Sequence, residues 1–381
     1  MLAIGLMSGT SLDGIDAALI ETDGEGQVRA IAFRGEPYSD AARAELAEAT
    51  RMALTFERPR ASPPIVAAGE LITRAHVFAV HKLLAEAGVA AADVDVMGFH
   101  GQTIAHRPDR GWTWQIGDGA AMARATGIVT VSDFRSADVA AGGQGAPLLP
   151  VYHAALAAGL DGPVAVLNLG GVGNITFIPG GLPDHLSHEL APEPLDPVSA
   201  NAGLVAFDTG PANGLIDSWI EAETGARYDA GGALAAAGRV DEAVLTAMLD
   251  HPYFDMPAPK SLDRNDFTTQ PARGLSAADG AATLTAFTAA TVAEALKHLP
   301  GRPKRLLVAG GGRHNPTMLA MIAARTGLEP EPTDTLGWNG DALEAEGFAY
   351  MAVRTLKGLP ISFPGTTGAP QAMAGGAIDR P

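Results

Sequence analysis

The run Phe207-Asp208-Thr209-Gly210-Pro211-Ala212-Asn213 sets one carboxylate between an apolar, strand-like stretch, Leu204 to Phe207, and a Gly-Pro turn. An aspartate held at a strand end is rigid enough to serve as a general base, because proton abstraction needs the acceptor within hydrogen-bond reach of one particular proton. The same residue could instead form an Asx turn or cap the helix expected from Gly214 to Thr224. Asp-Thr-Gly is also the aspartic-protease signature, but that chemistry needs two carboxylates sharing a proton. The chain holds one such triplet and no Asp-Ser-Gly, so a protease would require a dimer of much shorter chains.

Glycine-rich turns suggest phosphate chemistry. Met7 to Asp16 (M-S-G-T-S-L-D-G-I-D) lies between two strand-like runs, Leu2 to Leu6 and Ile15 to Thr22, and no G-x-x-x-x-G-K-[ST] run is present. The turn is therefore read as a hairpin and not as a loop opening a helix. Its backbone N–H groups and the Ser8, Thr10 and Ser11 hydroxyls could face phosphate oxygens, with Asp13 placed for a hydrated Mg2+; an ordinary Gly/Ser hairpin is the alternative. Val164 to Ile178 repeats the pattern, V-A-V-L-N-L, then G-G-V-G-N, then I-T-F-I. At Arg305 to Ala309 a buried-strand run leads into Gly310, Gly311 and Gly312 and then a helix for which Asn315 is the N-cap and Pro316 the first residue. Glycines there let a flat ring approach the backbone, as adenine or ribose would, or simply make a tight connection.

Other polar residues gather after predicted strand ends, where open α/β sheets bind ligands. Val96 to Phe99 reads as a strand ending at His100-Gly101-Gln102-Thr103, and Ile128 to Ser132 as one ending at Asp133-Phe134-Arg135. His100 could meet sugar hydroxyls or a neighbouring loop. Arg135 suits an anionic substrate group, or an ion pair with Asp133 or Asp138. Glu344, in G-D-A-L-E-A-E-G, faces the ligand side if Asp341 starts the helix, and is otherwise one more solvated helix-face acid. His185 and His188 lack a third metal ligand nearby and read as surface residues.

These groups need a scaffold, and the chain can supply one. Its 381 residues, 47% of them hydrophobic, suffice for two cores. Two glycine hairpins half a chain apart suggest two related lobes facing a shared ligand. Gly117-Asp118 should cap a helix from Gly119 to Thr126; further helices are expected over Ala281 to Leu299 and Ala342 to Lys357, the latter packing back on the first lobe. Pro179 to Gly203 reads as a surface insertion, and Gly365 to Pro381 as a mobile tail. A net charge of −17 argues against nucleic-acid or anionic-membrane partners. The absence of cysteine excludes thiolate chemistry and disulfides and suits a cytoplasmic protein. No apolar run approaches the roughly 18 residues of a membrane span.

In order along the chain, M-S-G-T-S-L-D-G-I-D, G-F-H-G-Q-T, Q-I-G-D-G, D-F-R-S-A-D-V-A-A-G-G-Q-G-A-P-L, L-N-L-G-G-V-G-N-I-T, F-D-T-G-P-A-N, A-P-K-S, G-G-G-R-H-N-P and D-A-L-E-A resemble the anhydro-N-acetylmuramic acid kinases, from Met7 to about Pro364. The resemblance implies an α/β fold of the sugar kinase, Hsp70 and actin superfamily, with two ribonuclease-H-like lobes around a central nucleotide and sugar cleft. Their expected limits are 1–145, with 347–381 packing back, and 146–346. It implies ATP-dependent opening of the anhydro ring and phosphorylation of O6, with Mg2+, in a homodimer. Asp208 would be the base and Glu344 the glutamate near the reacting water. Gly9, Thr10, Ser11, Leu12, Asp13, Gly14, Ile15 and Asp16 would meet the nucleotide, with Gly170, Gly171 and Asn174. Gly310 to Gly312 and Asn315 would border the adenosine. His100, Gln102, Thr103 and Arg135 would meet the sugar and its lactyl carboxylate. Two features depart from the family pattern: Ala212 stands where glycine is usual, and the 179–203 segment is long. The rivals are a kinase of the same fold acting on another sugar, and an ATP-binding sensor, which would need a basic DNA-binding module.

Overall fold

The computed structural model describes residues 1–180, 201, 203–262 and 266–381. The insertion between Pro179 and Gly203, with His185 and His188, thus lies almost wholly outside the described residues. The chain divides into two compact units. One comprises Met1–Ala158, Asn201 and Ala342–Pro381, the other the described residues of 159–180 and 203–341.

The first unit is built on a seven-stranded sheet. Its strands are β1 (Leu2–Ser8), β2 (Gly14–Thr22), β3 (Val28–Pro37), β4 (Val96–Arg107), β5 (Trp112–Ile116), β6 (Thr130–Ser132) and a C-terminal strand, Ala377–Asp379. β1, β2 and β3 form an antiparallel meander, and β1, β4 and β6 run parallel. The helix Leu343–Leu356 packs on β1, β2 and β4, and two glycines permit its close approach. A Cβ on Gly5 would lie 1.8 Å from the Ala345 carbonyl oxygen, and one on Gly98 2.1 Å from that of Phe348. The core also takes in Ile4, Leu6, Leu19, Ile72, Leu83 and Phe99, all at most 1% exposed.

The second unit has a five-stranded sheet of β7 (Val164–Leu169), β8 (Val172–Ile178), β9 (Val205–Pro211), β10 (Arg305–Ala309) and β11 (Pro330–Pro332). Its order, β9-β8-β7-β10-β11, and its strand senses repeat β3-β2-β1-β4-β6 of the first unit. Each unit therefore carries the ribonuclease-H-like arrangement: a three-stranded antiparallel meander whose first strand continues into parallel pairings. The helix Ala277–Lys297 crosses the core, and its buried Thr283 and Thr285 hydroxyls donate to carbonyls four residues back, at 2.7 and 2.8 Å. Threonine can be buried there without an unpaired hydroxyl.

Local signals hold closely. Asp118 caps Gly119–Thr126, and Asn315 caps Pro316–Thr326 by accepting from the Met318 N–H at 3.0 Å. Several boundaries differ. β4 does not stop at Phe99 but runs through His100–Thr103 to Arg107, because β5 pairs with its second half and Gly101, at φ 69°, absorbs the irregularity. Ser276 caps the long helix, which begins at Ala277 and not Ala281. The C-terminal stretch is not a free tail: its last strand pairs antiparallel with β6. Among the described residues no helix is long and apolar enough to cross a membrane.

Candidate active site

In the first unit the β1–β2 hairpin turns at Leu12, φ 56°, whose N–H donates to the Gly9 carbonyl at 3.2 Å. Thr10, Ser11 and Asp13 are exposed at its tip, and Gly9, Leu12 and Gly14 are half-buried. Asp13 Oδ1 accepts from Ser11 Oγ at 2.7 Å and from the Gly14 N–H at 3.1 Å. A single carboxylate so oriented at the surface could serve as one ligand of a hydrated Mg2+. The Ile15 side chain lies in the core, 1% exposed, leaving its main chain for the turn, and Asp16 sits opposite Met7 and Gly35 in the sheet. Gln102 is fully buried and ties β4 to the hairpin: its Oε1 accepts from Ser8 Oγ, and its Nε2 donates to the Gly9 carbonyl at 3.1 Å. Thr103 Oγ1 accepts from Gln115 Nε2 at 3.1 Å.

His100, Arg135 and Glu344 come together elsewhere in the same unit. His100 is buried, which holds its pKa well below the usual value, and Arg135 opposes its protonation further. The neutral ring lies 2.9 Å through Nδ1 from the Gly101 carbonyl and accepts at Nε2 from Arg135 Nε at 3.2 Å. This assigns the proton to Nδ1. Arg135 Nη1 donates to the Gly145 carbonyl at 2.8 Å. Burial lowers the Arg135 pKa to about 10, opposed by Glu344 and then Asp138, so the guanidinium stays charged. Asp138 makes no direct pair with Arg135; it accepts from Ser362 Oγ, Thr367 Oγ1 and the Gly145 N–H at 2.5, 2.6 and 2.6 Å. A cavity of about 210 Å³ beside this cluster is lined by His100, Gly101, Gln115, Ser132 and Asp133.

In the second unit Asp208 stands within β9, not at its end, since the strand runs on to Pro211. It faces Asn174 of β8, which in turn faces Asn168 of β7, so the three half-buried polar side chains form a row on one face of the sheet. The Asn213–Thr224 helix starts from Ala212 with no side-chain cap, which removes the capping role for Asp208. Its N–H donates to the Lys260 carbonyl at 3.0 Å, its carbonyl accepts from the Tyr253 hydroxyl at 2.5 Å, and its Oδ2 accepts from the Leu262 N–H at 2.8 Å. The protein packed around the carboxyl raises its pKa to about 7, against the lowering effect of the Leu262 bond. One side of the residue stays open to solvent.

A family model described as anhydro-N-acetylmuramic acid kinase matches residues 1–188 and 195–380. The chain belongs to the anhydro-N-acetylmuramic acid kinase family. An anhydro-N-acetylmuramic acid kinase of Rhizorhabdus wittichii is 68% identical over 381 residues, spanning 100% of this chain and 99% of that protein. One of Zymomonas mobilis subsp. mobilis is 52% identical over 381 residues, with 99% of each chain covered.

Within this family member, the second hairpin and the triple glycine pack together. The Gly170 and Gly171 carbonyls accept from the N–H groups of Asn213 and of Ala212 and Gly214, at 2.9, 3.1 and 3.1 Å. Ala212 is fully buried at φ −121°. A Cβ on Gly310 would lie 2.4 Å from Asn168 Oδ1, and one on Gly312 2.5 Å from Leu169 Cβ. Next to them a cavity of about 370 Å³ is lined by Asn213, Asp217, Tyr228, Asp229, Gly311 and Asn315. Tyr228 and Asp217 were not legible as site residues, for neither carries a local motif. Tyr253 and the Leu262 amide reach Asp208 from 45 and 54 residues away, which no spacing rule could reveal. Between them lies A-P-K-S, Ala258 to Ser261, one of the stretches that resemble the family, to which the resemblance gives no role.

Proposed function

We propose that this chain uses ATP to open the 1,6-anhydro ring of 1,6-anhydro-N-acetylmuramic acid with water and to phosphorylate O6. The products are N-acetylmuramic acid 6-phosphate and ADP, and the setting is cell-wall recycling. The observation that carries this reading is Asp208, a fixed carboxylate with its pKa near 7, which matches the requirement of a general base working at neutral pH. Asp208 takes a proton from water as the water oxygen bonds to C1 and the C1–O6 bond breaks, inverting the anomeric centre as in inverting glycoside hydrolysis. O6 then bonds to the γ-phosphorus as the bond to the ADP oxygen breaks. The phosphoryl group thus takes the place of the general acid that a hydrolase needs.

Phosphoryl transfer rests on positioning and charge neutralisation. Gly9 to Asp16 in the first unit, and Gly170, Gly171 and Asn174 in the second, are assigned to the phosphates. Asp13 would hold a Mg2+, which supplies charge neutralisation on the phosphates. The cavity beside Gly310 to Gly312 and Asn315 is assigned to adenosine. Arg135, oriented by His100, is assigned to the lactyl carboxylate, Thr103 to the sugar, and Glu344 to the neighbourhood of the reacting water. Gln102 contributes by holding Ser8 and Gly9 in place. We assign the protein to the cytoplasm and to a homodimeric state, which light scattering on the purified protein checks.

The reading is tested by incubation with Mg-ATP and 1,6-anhydro-N-acetylmuramic acid, with glucose and N-acetylglucosamine as competing acceptors, and mass spectrometry of the products. One ADP per sugar 6-phosphate, with the simple hexoses turned over orders of magnitude more slowly, is expected. Equal turnover of a hexose moves the assignment to another sugar kinase, and nucleotide binding without any phosphorylated sugar favours the sensor.

A further inference from the structure

Lys260 is 5% exposed, yet no carboxylate lies within ion-pair distance of it among the described residues. Its Nζ donates to the carbonyls of Tyr253 and Phe254 at 2.9 and 3.3 Å. It also sits 4.7 Å from the centre of the Tyr253 ring and 5.8 Å from that of Phe207, the residue before Asp208. Burying an ammonium is costly without such partners, and a methionine would fill the same volume. The two stretches that the ammonium draws together are the ones that grip Asp208. Tyr253, on the 252–255 turn, bonds the Asp208 carbonyl, while Lys260 and Leu262 bond its N–H and its carboxylate.

We propose that Lys260 is a positioning residue, whose ammonium locks the 260–262 segment along β9 so that the Leu262 N–H holds the Asp208 carboxylate in one orientation. The inference rests on the reading of Asp208 as the base. Among the described residues the titratable groups around the pair are few. Burial lowers the Lys260 pKa, and Asp255 opposes the shift by favouring the charged form. Tyr253, held neutral by burial and then by Asp208 and Asp266, stays protonated. His298 Nε2 shares the Phe254 carbonyl at 2.9 Å. Because the Leu262 bond lowers the Asp208 pKa, loosening the segment must raise it.

The test is Lys260→Met in the full chain. Protein labelled with 13C at the aspartate carboxyls gives the Asp208 titration directly, its resonance being the one missing from Asp208→Asn. Lys260→Met should raise the Asp208 pKa by roughly one unit. It should lower kcat roughly tenfold to a hundredfold, as displacement of a catalytic group does, with both KM values within about twofold. A variant that is merely less heat-stable, with the Asp208 titration and kcat unmoved, overturns the proposal. If Lys260→Met does not fold, Lys260→Gln, which keeps an N–H donor but loses the charge, should show the same upward movement; an unmoved titration overturns the proposal there too. The titration needs no turnover. A shifted Asp208 in a protein without kinase activity would keep the clamp and sink the assignment of function, and an active enzyme with an unmoved Asp208 would do the reverse.

Discussion

Replacing Asp208 by asparagine should change how stability depends on pH as well as abolish turnover. The Asp208 pKa is raised from 3.8 to about 7 in the folded chain, chiefly by burial. Between these values the native state holds a proton that the unfolded chain has released, so the wild-type protein loses stability as pH rises through this window. Three units at about 1.4 kcal/mol each make a penalty of about 4 kcal/mol above pH 7. Asparagine cannot ionise, and its carbonyl oxygen can still accept from the Leu262 N–H. Relative to wild type, the variant should therefore gain about 3 kcal/mol between pH 4.5 and pH 8. Urea unfolding of both proteins at the two pH values measures the difference, and every other titrating group cancels to the extent that the variant leaves it alone. Turnover of the variant should fall by a factor of about 10² to 10⁴, the range for a general base, while wild-type kcat should rise with pH through about 7 as the base ionises. Parallel stability curves in the two proteins would refute the reasoning, since Asp208 would then titrate like an exposed aspartate.

Three further outcomes are expected. Gly5→Ala puts a Cβ where the Ala345 carbonyl oxygen lies, 1.8 Å away, and the 343–356 helix must retreat; thermal unfolding should show a loss of about 3 kcal/mol or more, at the upper end of overpacking costs. Asp138→Asn weakens three hydrogen bonds, from Ser362, Thr367 and the Gly145 N–H, so limited proteolysis should cut between 358 and 375 faster than in wild type; an unchanged digest would show that other contacts hold this stretch. Asp13→Asn should raise the Mg2+ concentration needed for half-maximal rate by roughly tenfold, the size of one lost charged contact of about 1.4 kcal/mol, and an unaltered requirement would remove Asp13 from the metal.

What the sequence makes legible is local chemistry. The glycine hairpins at 9–13 and 170–171, the Asp118 and Asn315 caps and the strand Arg305–Ala309 all appear where side-chain type and spacing place them. Where tertiary partners overrule local signals, reading fails. Gly101 looks like the end of a strand, but β5 and β1 pair on either side of it and carry β4 onward. Gly210-Pro211 looks like a turn, yet Thr291 from the long helix occupies the space a Cβ on Gly210 would need, 2.8 Å away, and the segment stays in the sheet. The long helix reads as starting at Ala281, yet Ser276 caps it at Ala277, and Gly280 fits against the Trp219 ring, which lies 2.1 Å from where its Cβ would be. The position of Asp208 in the sequence identifies a carboxylate; its pKa is raised by the packed surroundings and held back by the Leu262 N–H, and only the fold brings both near.

The most direct test of the account is a reaction in 18O-labelled water with Mg-ATP and 1,6-anhydro-N-acetylmuramic acid, followed by mass spectrometry of the sugar product. Coupled ring opening and phosphoryl transfer predicts one 18O at the anomeric carbon and an unlabelled bridging oxygen in the 6-phosphate. Label in released inorganic phosphate, with the sugar left unphosphorylated and unlabelled, would mean that water attacks ATP and not the sugar, and would contradict the role given to Asp208.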